Sequence, residues 1–203
     1  MSLVTCDIAP SVDGYVAGPN QSLENPFGDG VNERLHRWMF EAADDNAEEI
    51  AAVTSAGAYI MGRNMFSPGR GAWDEEWQGW WGPEPPYHAP VFVLTHHPRE
   101  MLVMEGGTTF TFVTDGIESA LAQARSAAGD RDVAIAGGAA TINQYLAAGL
   151  IDELRLHIAP VILGSGERLF AGVRDINLEH VRTRSTELVA HITYRMTRWR
   201  LVD

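Results

Sequence analysis

The sequence predicts an α/β domain of three layers, in which helices cover both faces of a mainly parallel sheet and antiparallel strands complete the sheet at its C-terminal end. Short, wholly apolar runs bounded by Gly or Pro alternate with amphipathic segments, a pattern typical of buried parallel strands joined by helices. From about Leu178 to Val202, polar and apolar residues alternate in two runs about Ser185-Thr186. Such alternation indicates antiparallel strands.

Length and charge exclude several classes of protein. The 203 residues are 45% hydrophobic and 21% charged, enough to bury a core, and no shift in composition marks a linker, so we expect residues 1–203 to form one domain. The net charge of -12 disfavours nucleic acids and anionic membranes as partners. Cys6 is the single cysteine and the first residues do not read as a signal peptide, so we expect a cytoplasmic protein. No apolar stretch approaches the ~18 residues of a membrane span.

The first part of the chain predicts a strand, a turn and a long loop. The run from Val4 to Ala9 ends at Pro10, and residues 15–17 resume an extended course after the turn Asp13-Gly14. Residues 18–30 are predicted to be a loop.

Two helices, a strand and a second loop are predicted next. From Asn32, a suitable N-cap, apolar residues recur at helical spacing up to residue 42, and residues 47–55 form a second amphipathic piece. Residues 58–61 are apolar throughout and end at a glycine, as in a short buried strand. Residues 67–90 are crowded with Gly, Pro and Trp. Such a long irregular loop in a compact domain is more often functional than idle.

The remaining elements alternate strand and helix before the antiparallel end. Helical spacing of apolar residues predicts helices over 116–128 and after Gly137-Gly138. The predicted strands are 91–95, 109–113, 133–136 and 154–159.

Three predicted strand ends carry residues suited to a phosphate. The segment from Gly137 to Thr141 joins a strand to a helix, where backbone N–H groups and the positive helix end can hold an anion. Gly62-Arg63-Asn64 places a guanidinium at a second strand end, and Thr95-His96 closes a third. Each has a plainer alternative: a tight glycine turn, a solvated arginine, a loop end. Because ligands gather where parallel strands end, the three together favour a dinucleotide phosphate site.

Other polar residues have both functional and structural interpretations. Asp13 is either a substrate ligand or an ordinary turn residue. Asp29, Glu33 and His36 lie near the start of the first predicted helix, where an acid could donate a proton or simply suit the helix N-terminus. The Trp73, Trp77, Trp80 and Trp81 cluster either stacks on a flat heterocycle or attaches the long loop to the body.

His157 alternates with apolar residues in a predicted strand, where a lone histidine is usually structural. No His or Cys pair has the spacing of metal ligands, so we expect no metal site.

Several motifs together resemble a known family. They are the segments Ser11–Ala17, Ile60–Phe66, Val93–Thr95, Ile135–Ala139 and, most specifically, Leu150–Gly164. In this order they resemble the dihydrofolate reductase-like fold, and more closely the reductase domain of bacterial riboflavin biosynthesis (the RibD C-terminal domain) and its stand-alone relatives. The resemblance covers nearly the whole chain.

The resemblance implies NADPH as cofactor and hydride transfer to a nitrogen heterocycle or an opened ribose. The nicotinamide of NADPH would be bordered by the end of the first strand. The 2′-phosphate of its adenosine would face Arg63, and its pyrophosphate would lie at the paired glycines. The cofactor-binding residues implied are Ala9, Val16, Ala17, Gly62, Arg63, Asn64, Leu94, Thr95, His96, Ala136, Gly137, Gly138, Ala139, Ala140 and Thr141. A homodimer is also implied.

The resemblance places His157 against the substrate ring. The proton for the reduction then comes from water or from a side chain, and the candidates in order are His157, Asp13 and Glu33. Riboflavin-pathway reductases usually carry Glu where Ala136 stands. The alternatives are therefore a pterin or dihydrofolate reductase, and a non-catalytic module that binds a nucleotide or small molecule.

Overall fold

The apolar runs of the sequence assemble into one nine-stranded sheet, with a separate two-stranded ribbon beside it. A computed structural model describes residues 2–31, 33–69 and 71–197. The strands are β1 (Val4–Ile8), β2 (Tyr15–Ala17), β3 (Ala58–Gly62), β4 (Pro90–Leu94), β5 (Leu102–Val103), β6 (Thr109–Val113), β7 (Val133–Gly137), β8 (Glu153–Ile158), β9 (Glu167–Arg168), β10 (Asn177–Ser185) and β11 (Ala190–Thr197). The helices are α1 (Arg37–Phe40), α2 (Ala47–Val53), α3 (Arg63–Phe66), α4 (Ile117–Ala128) and α5 (Ala139–Ala147), with 3₁₀ turns at Asp44–Asn46 and Glu105–Gly107.

The strand order is β10-β11-β8-β1-β7-β3-β4-β6-β5. Six neighbouring strands, from β8 to β6, run parallel, while β11 and β10 at one edge and β5 at the other are antiparallel. The predicted fold class, a mainly parallel sheet with antiparallel C-terminal strands, is therefore confirmed. Parallel pairing brings the carboxyl ends of the central strands to a single edge of the sheet.

The core lies on both faces of the sheet because alternate residues of a strand point to opposite sides. On β3, Ile60 faces the layer made by α4 and α5, whereas Tyr59 and Met61 face the opposite layer. All three are almost fully buried, and each such side chain stabilises the fold by about 1.5–3 kcal/mol. On the side of Tyr59 and Met61, the core is completed by α3 and by a tryptophan-rich loop, residues 67–89, which contribute Phe66, Trp73, Trp77 and Trp81.

The tryptophan-rich loop, residues 67–89, is attached to the body by its indole groups. Trp73 Nε1 donates to the carbonyl oxygen of His97 at 2.9 Å. The Nε1 groups of Trp77 and Trp80 donate to backbone carbonyl oxygens of α3 at 2.8 and 3.0 Å, and the Trp81 ring stacks on Phe110 at 5.8 Å between centroids. These contacts favour the structural interpretation of the cluster, because the three indole N–H groups are already used within the protein.

The first helix is much shorter than its apolar spacing indicates. Residues 33–36 form turns, in which the amides of residues 34 and 36 donate to carbonyls three positions earlier. After α1, the side-chain amide of Asn46 donates to the carbonyl oxygens of Trp38 and Ala42 at 3.2 and 2.7 Å and so ends the helix. The prediction of a helix over 32–42 is wrong in its extent, and the proposed N-cap, Asn32, lies outside the described residues.

The other predicted elements are found close to their expected positions. The short strands β5 and β9 have two residues each, too few for a periodic signal. The last predicted run, to residue 202, continues past residue 197 and so beyond the part of the chain that is described. Among the described helices, none has the length and apolar character needed to cross a membrane.

Candidate active site

Three of the predicted binding segments end neighbouring strands. In the register of the sheet, Met61 lies beside Gly137 and Gly62 beside Leu94. The ends of β7, β3 and β4 are thus adjacent, and they bring the paired glycines, Arg63 and Thr95 to one edge.

The end of β3 packs directly on the first turn of α5. A Cβ atom added at Gly62 would lie 2.3 Å from Oγ1 of Thr141, so only glycine fits between the two elements. In front of α5 the backbone is open: within the described structure, a Cβ at Gly138 would meet nothing within 4 Å. The amides of Thr141 and Ile142 both donate to the Gly138 carbonyl at 3.1 Å. The N–H groups that precede them are the first of the helix, and such groups have no acceptor within it. This open, positive helix end is suited to an anion.

Arg63 lies beside this helix end and is held by the tryptophan-rich loop. Its Nη2 donates to the carbonyl oxygens of Gly71 and Ala72 at 2.6 and 3.3 Å, and its guanidinium lies 4.2 Å from the centre of the Trp73 ring. Burial lowers the pKa of Arg63. Its Nε is buried and has no hydrogen-bond partner among the described residues, and the hydrogen bonds described for the guanidinium use only Nη2, so this fixed, planar group keeps N–H capacity for an anion.

The other predicted cofactor residues lie at or near the same edge. Thr95 is buried, and its Oγ1 accepts the amide N–H of His97 at 3.0 Å. Ala9, at the end of β1, is buried, as are Val16 and Ala17 of β2. Exposed positions are Asn64, His96 and Ala140, and partly buried ones are Leu94 and Ala136.

Asp13 holds the turn after β1 to a distant loop. Its carboxylate accepts the Ser11 hydroxyl at 2.7 Å and the amides of Leu163 and Gly164 at 3.1 and 2.7 Å. These hydrogen bonds, that of Ser11 foremost, lower the pKa of Asp13 to about 2. The geometry argues against the predicted role as proton donor, because the carboxylate stays ionised at neutral pH and its oxygens are engaged.

The acid sensitivity of the fold tests this arrangement. A carboxylate whose pKa falls from 3.8 to about 2 on folding stabilises the protein above its unfolded pKa and loses that contribution as the pH falls through the folded pKa. In urea unfolding, Asp13→Asn is therefore expected to be less stable than the native protein by an amount that is constant above about pH 5 and shrinks below about pH 4. Glu33→Gln, at an exposed carboxylate, is the control. A deficit of Asp13→Asn that stays constant into acid contradicts the role.

The other two acids near α1 do not form a cluster with His157. Glu33 is exposed in the turns before α1. Asp29 is also exposed and accepts the side-chain amides of Asn20 and Asn25. The structure gives the predicted proton-donor role of Glu33 no support, because this exposed side chain makes no described hydrogen bond to His157.

His157 lies in a buried chain of polar side chains. Its Nε2 is 3.3 Å from Oδ1 of Asp7, and its Nδ1 is 2.8 Å from Nδ1 of His191. Nε2 of His191 is 2.9 Å from Oδ1 of Asn46, and the Trp38 ring packs on both imidazoles at 4.9 and 5.1 Å. We call Asp7, His157, His191 and Asn46 the buried polar chain.

Three members of this chain were not predicted from the sequence. Asp7 had a signal, since it is the one charged residue of strand β1. His191 and Asn46 had none, because their relation to His157 depends on the pairing of β11 with β8, where His191 stands directly opposite His157. His36 was noted, and it is partly buried beside Phe27, with a pKa that burial lowers to about 4. Within the described ranges, no group of three His, Cys, Asp or Glu side chains is placed to hold a metal ion.

Known proteins share both the sequence pattern and the fold. The sequence profile of the RibD C-terminal domain matches residues 2–191. The uncharacterized protein YyaP of Bacillus subtilis strain 168 is 40% identical over 193 residues, which cover 90% of this chain and 88% of YyaP.

Two solved structures extend the likeness. A putative riboflavin biosynthesis protein from Shewanella sp. PV-4 superposes with a TM-score of 0.62 at 23% identity, over 97% of this chain and 99% of the other. Dihydrofolate reductase from Enterococcus faecalis, complexed with NADP(H) and RAB-propyl, gives a TM-score of 0.56 at 16% identity over 97% of each chain. These structures share the fold, which confirms the dihydrofolate reductase-like architecture. With the profile match over nearly its whole length and the similarity to YyaP, the chain belongs to the RibD C-terminal domain family.

Proposed function

We propose that this protein is an NADPH-dependent reductase, which transfers a hydride to a small heterocyclic or ribosyl substrate as 5-amino-6-(5-phosphoribosylamino)uracil reductase does. The proposal rests on the ends of β7, β3 and β4, which are neighbours in the sheet. They bring the open N-terminal end of α5, the fixed Arg63 and Thr95 to one edge. Family membership and the fold shared with an NADP(H)-binding reductase support it.

The residues present fit this cofactor. The open backbone from Gly137 to Thr141 would hold the pyrophosphate, and the guanidinium of Arg63 would bind the 2′-phosphate. Thr95 and His96 would flank the adenosine, while Ala9 with Val16 and Ala17 of β2 would border the nicotinamide. When bound, NADPH supplies the hydride.

The protein itself orients the reactants, excludes water and supplies a proton. The loop anchored by Trp73, Trp77 and Trp80 covers α3 and the aromatic side of the sheet, which helps to exclude water near Arg63. With Asp13 fixed as a carboxylate, His157 is the remaining buried candidate for the proton.

Assembly and location are part of the same proposal. The exposed edge strand β10 carries Leu178 and Val181, both more than two-fifths exposed at 41% and 43%, and burial of this surface in a homodimer would remove apolar area from water. We place the protein in the cytoplasm as one domain.

Two alternatives are separated by their chemistry. A pterin or dihydrofolate reductase would share the cofactor site. A non-catalytic binding module is favoured by Ala136, which stands where riboflavin-pathway reductases usually carry Glu.

Oxidation of NADPH by candidate substrates tests the proposal. The protein, NADPH and each candidate are mixed, and the absorbance of reduced nicotinamide is followed. We expect a phosphoribosylamino-pyrimidine to cause oxidation and dihydrofolate to cause none; the reverse result selects the pterin reductase. Tight NADPH binding with no oxidation by either class would favour the binding module.

A further inference from the structure

The buried polar chain has a fixed hydrogen-bond direction at one end. The Asn46 side-chain nitrogen donates to two backbone carbonyls, which accept only, so the opposite atom of the amide is the oxygen. That oxygen also accepts a hydrogen bond from Nη2 of Arg184 at 3.4 Å. Because an amide oxygen accepts only, Nε2 of His191 must carry a hydrogen and donate it.

The buried polar chain therefore needs one hydrogen more than two neutral imidazoles carry. Three contacts, from Asn46 to His191, from His191 to His157 and from His157 to Asp7, each join two polar atoms and need one hydrogen between them. Each neutral imidazole carries one N–H, and an ionised carboxylate carries none. Two hydrogens would leave one contact with facing lone pairs in a buried site, which is costly. Satisfying all three contacts takes three hydrogens.

The surrounding groups favour His157 as the residue that holds the additional proton. Arg155 Nη1 lies 3.3 Å from Oδ2 of Asp7, so a cation already faces this carboxylate. Burial lowers the pKa of His191 to about 4, so His191 is the neutral partner. An imidazolium at His157 donates from both nitrogens, to the Asp7 carboxylate and to Nδ1 of His191, and every contact is satisfied.

Other charged groups face this chain from each neighbouring element. Arg155 comes from β8 and Tyr59 from β3, while Glu49 of α2 and Arg182 and Arg184 of β10 act on His191. His36, before α1, interacts electrostatically with His157. Among these, Arg155, Arg182 and Arg184 are each paired with a glutamate.

A cleft connects the buried polar chain to solvent. A cavity of about 330 Å³ lies between α2 and strands β8, β10 and β11, and Asp7, His157 and His191 line its floor. Water in the cleft can return a proton to the imidazoles after one has been used. The contact between His157 and Asp7 is the longest of the three at 3.3 Å.

We propose that Asp7, His157 and His191 hold one proton in common and are the proton reservoir of the reduction, with Asn46 and His191 as positioning residues. The role in reduction rests on the proposed function. The reduction consumes a hydride, which NADPH provides, and one proton. That proton leaves an N–H bond of the His157 imidazolium for the reduced substrate, the bonding electron pair stays on the imidazole, and a proton from water in the cleft restores the imidazolium.

Nitrogen-15 NMR of the histidine rings, on the cofactor-free protein at neutral pH, counts the hydrogens directly. We expect three of the four ring nitrogens of His157 and His191 to be protonated, with the signals assigned from His157→Gln and His191→Gln. In Asp7→Asn the side-chain amide can donate to His157 Nε2, so the expected number falls to two. His180→Gln, at an exposed histidine of β10, should leave the number unchanged. Two protonated nitrogens in the native protein would overturn the proposal.

Kinetics test the reservoir role separately. Loss of a general acid costs about 100-fold or more in kcat, so we expect that reduction in Asp7→Asn, with KM for NADPH and NADPH affinity unchanged. An unchanged kcat in Asp7→Asn overturns the role even if the NMR number is three. If the native protein does not bind NADPH, the proposed function fails and the role in reduction fails with it, while the NMR result still decides the shared proton.

Discussion

Replacement of Arg63 by alanine is expected to weaken NADPH binding by roughly 10- to 150-fold, the range for a hydrogen bond to a charged group, and to change NADH binding little. The difference arises because only NADPH carries the 2′-phosphate that the Arg63 guanidinium would bind. Dissociation constants from quenching of tryptophan fluorescence measure both effects.

Controls separate the phosphate contact from disturbance of the loop. Arg63 also holds the carbonyls of Gly71 and Ala72, so a general disturbance would weaken both nucleotides alike. Arg63→Lys keeps the charge but not the planar fork, and we expect it to retain part of the selectivity. Arg125→Ala, at an exposed arginine of α4, removes the same charge elsewhere. Equal losses of NADPH and NADH in Arg63→Ala would contradict the assignment.

A methyl group at Gly62 is expected to destabilise the fold by about 1–3 kcal/mol, the usual cost of overpacking, and to abolish tight NADPH binding. The added Cβ would lie 2.3 Å from Oγ1 of the buried Thr141, and relief requires the first turn of α5 to move. That turn carries the amides that would hold the pyrophosphate. Urea unfolding and a nucleotide titration of Gly62→Ala measure the two effects.

A second substitution, at Thr141, is expected to restore the stability lost in Gly62→Ala. In Gly62→Ala combined with Thr141→Ala the clashing oxygen is gone, and the two Cβ atoms would stand 3.5 Å apart, which is ordinary contact. We expect this pair to recover most of the lost stability. Gly62→Ala combined with Thr141→Val retains a branched side chain and should not recover. Similar stability in the two double variants would show that the cost at Gly62 has another origin.

The parallel strands could be predicted from sequence because strands buried on both faces are apolar throughout. Ile60 and its neighbours contain no polar residue to place on either side, so the run itself is the signal. The meeting of Gly62, Arg63 and the paired glycines at one edge also followed, since parallel strands end together.

The extent of α1 and the buried polar chain could not be predicted in this way. Trp38 and its apolar neighbours face the core whether residues 33–36 form a helix or turns, so spacing alone does not distinguish the two. His157, His191 and Asn46 meet only through the pairing of β11 with β8 and through the turn before α2. Contacts between residues so far apart in the chain leave no local pattern.

Asp13 illustrates a different difficulty. An aspartate in an Asp-Gly turn has the same local sequence whether it binds a ligand or holds the fold. The distinguishing contacts come from Leu163 and Gly164, 150 and 151 positions away. They identify Asp13 as a hydrogen-bond acceptor that joins two loops.

Titration of the native protein with NADPH and with NADH, followed by tryptophan fluorescence, tests the central claim most directly. Trp73 lies against the Arg63 guanidinium, so occupation of the adjacent phosphate site should alter its emission. The proposed function predicts saturable binding of NADPH that is at least about 10-fold tighter than that of NADH, as one charged hydrogen bond requires. Equal affinities, or no binding of either nucleotide, would contradict it.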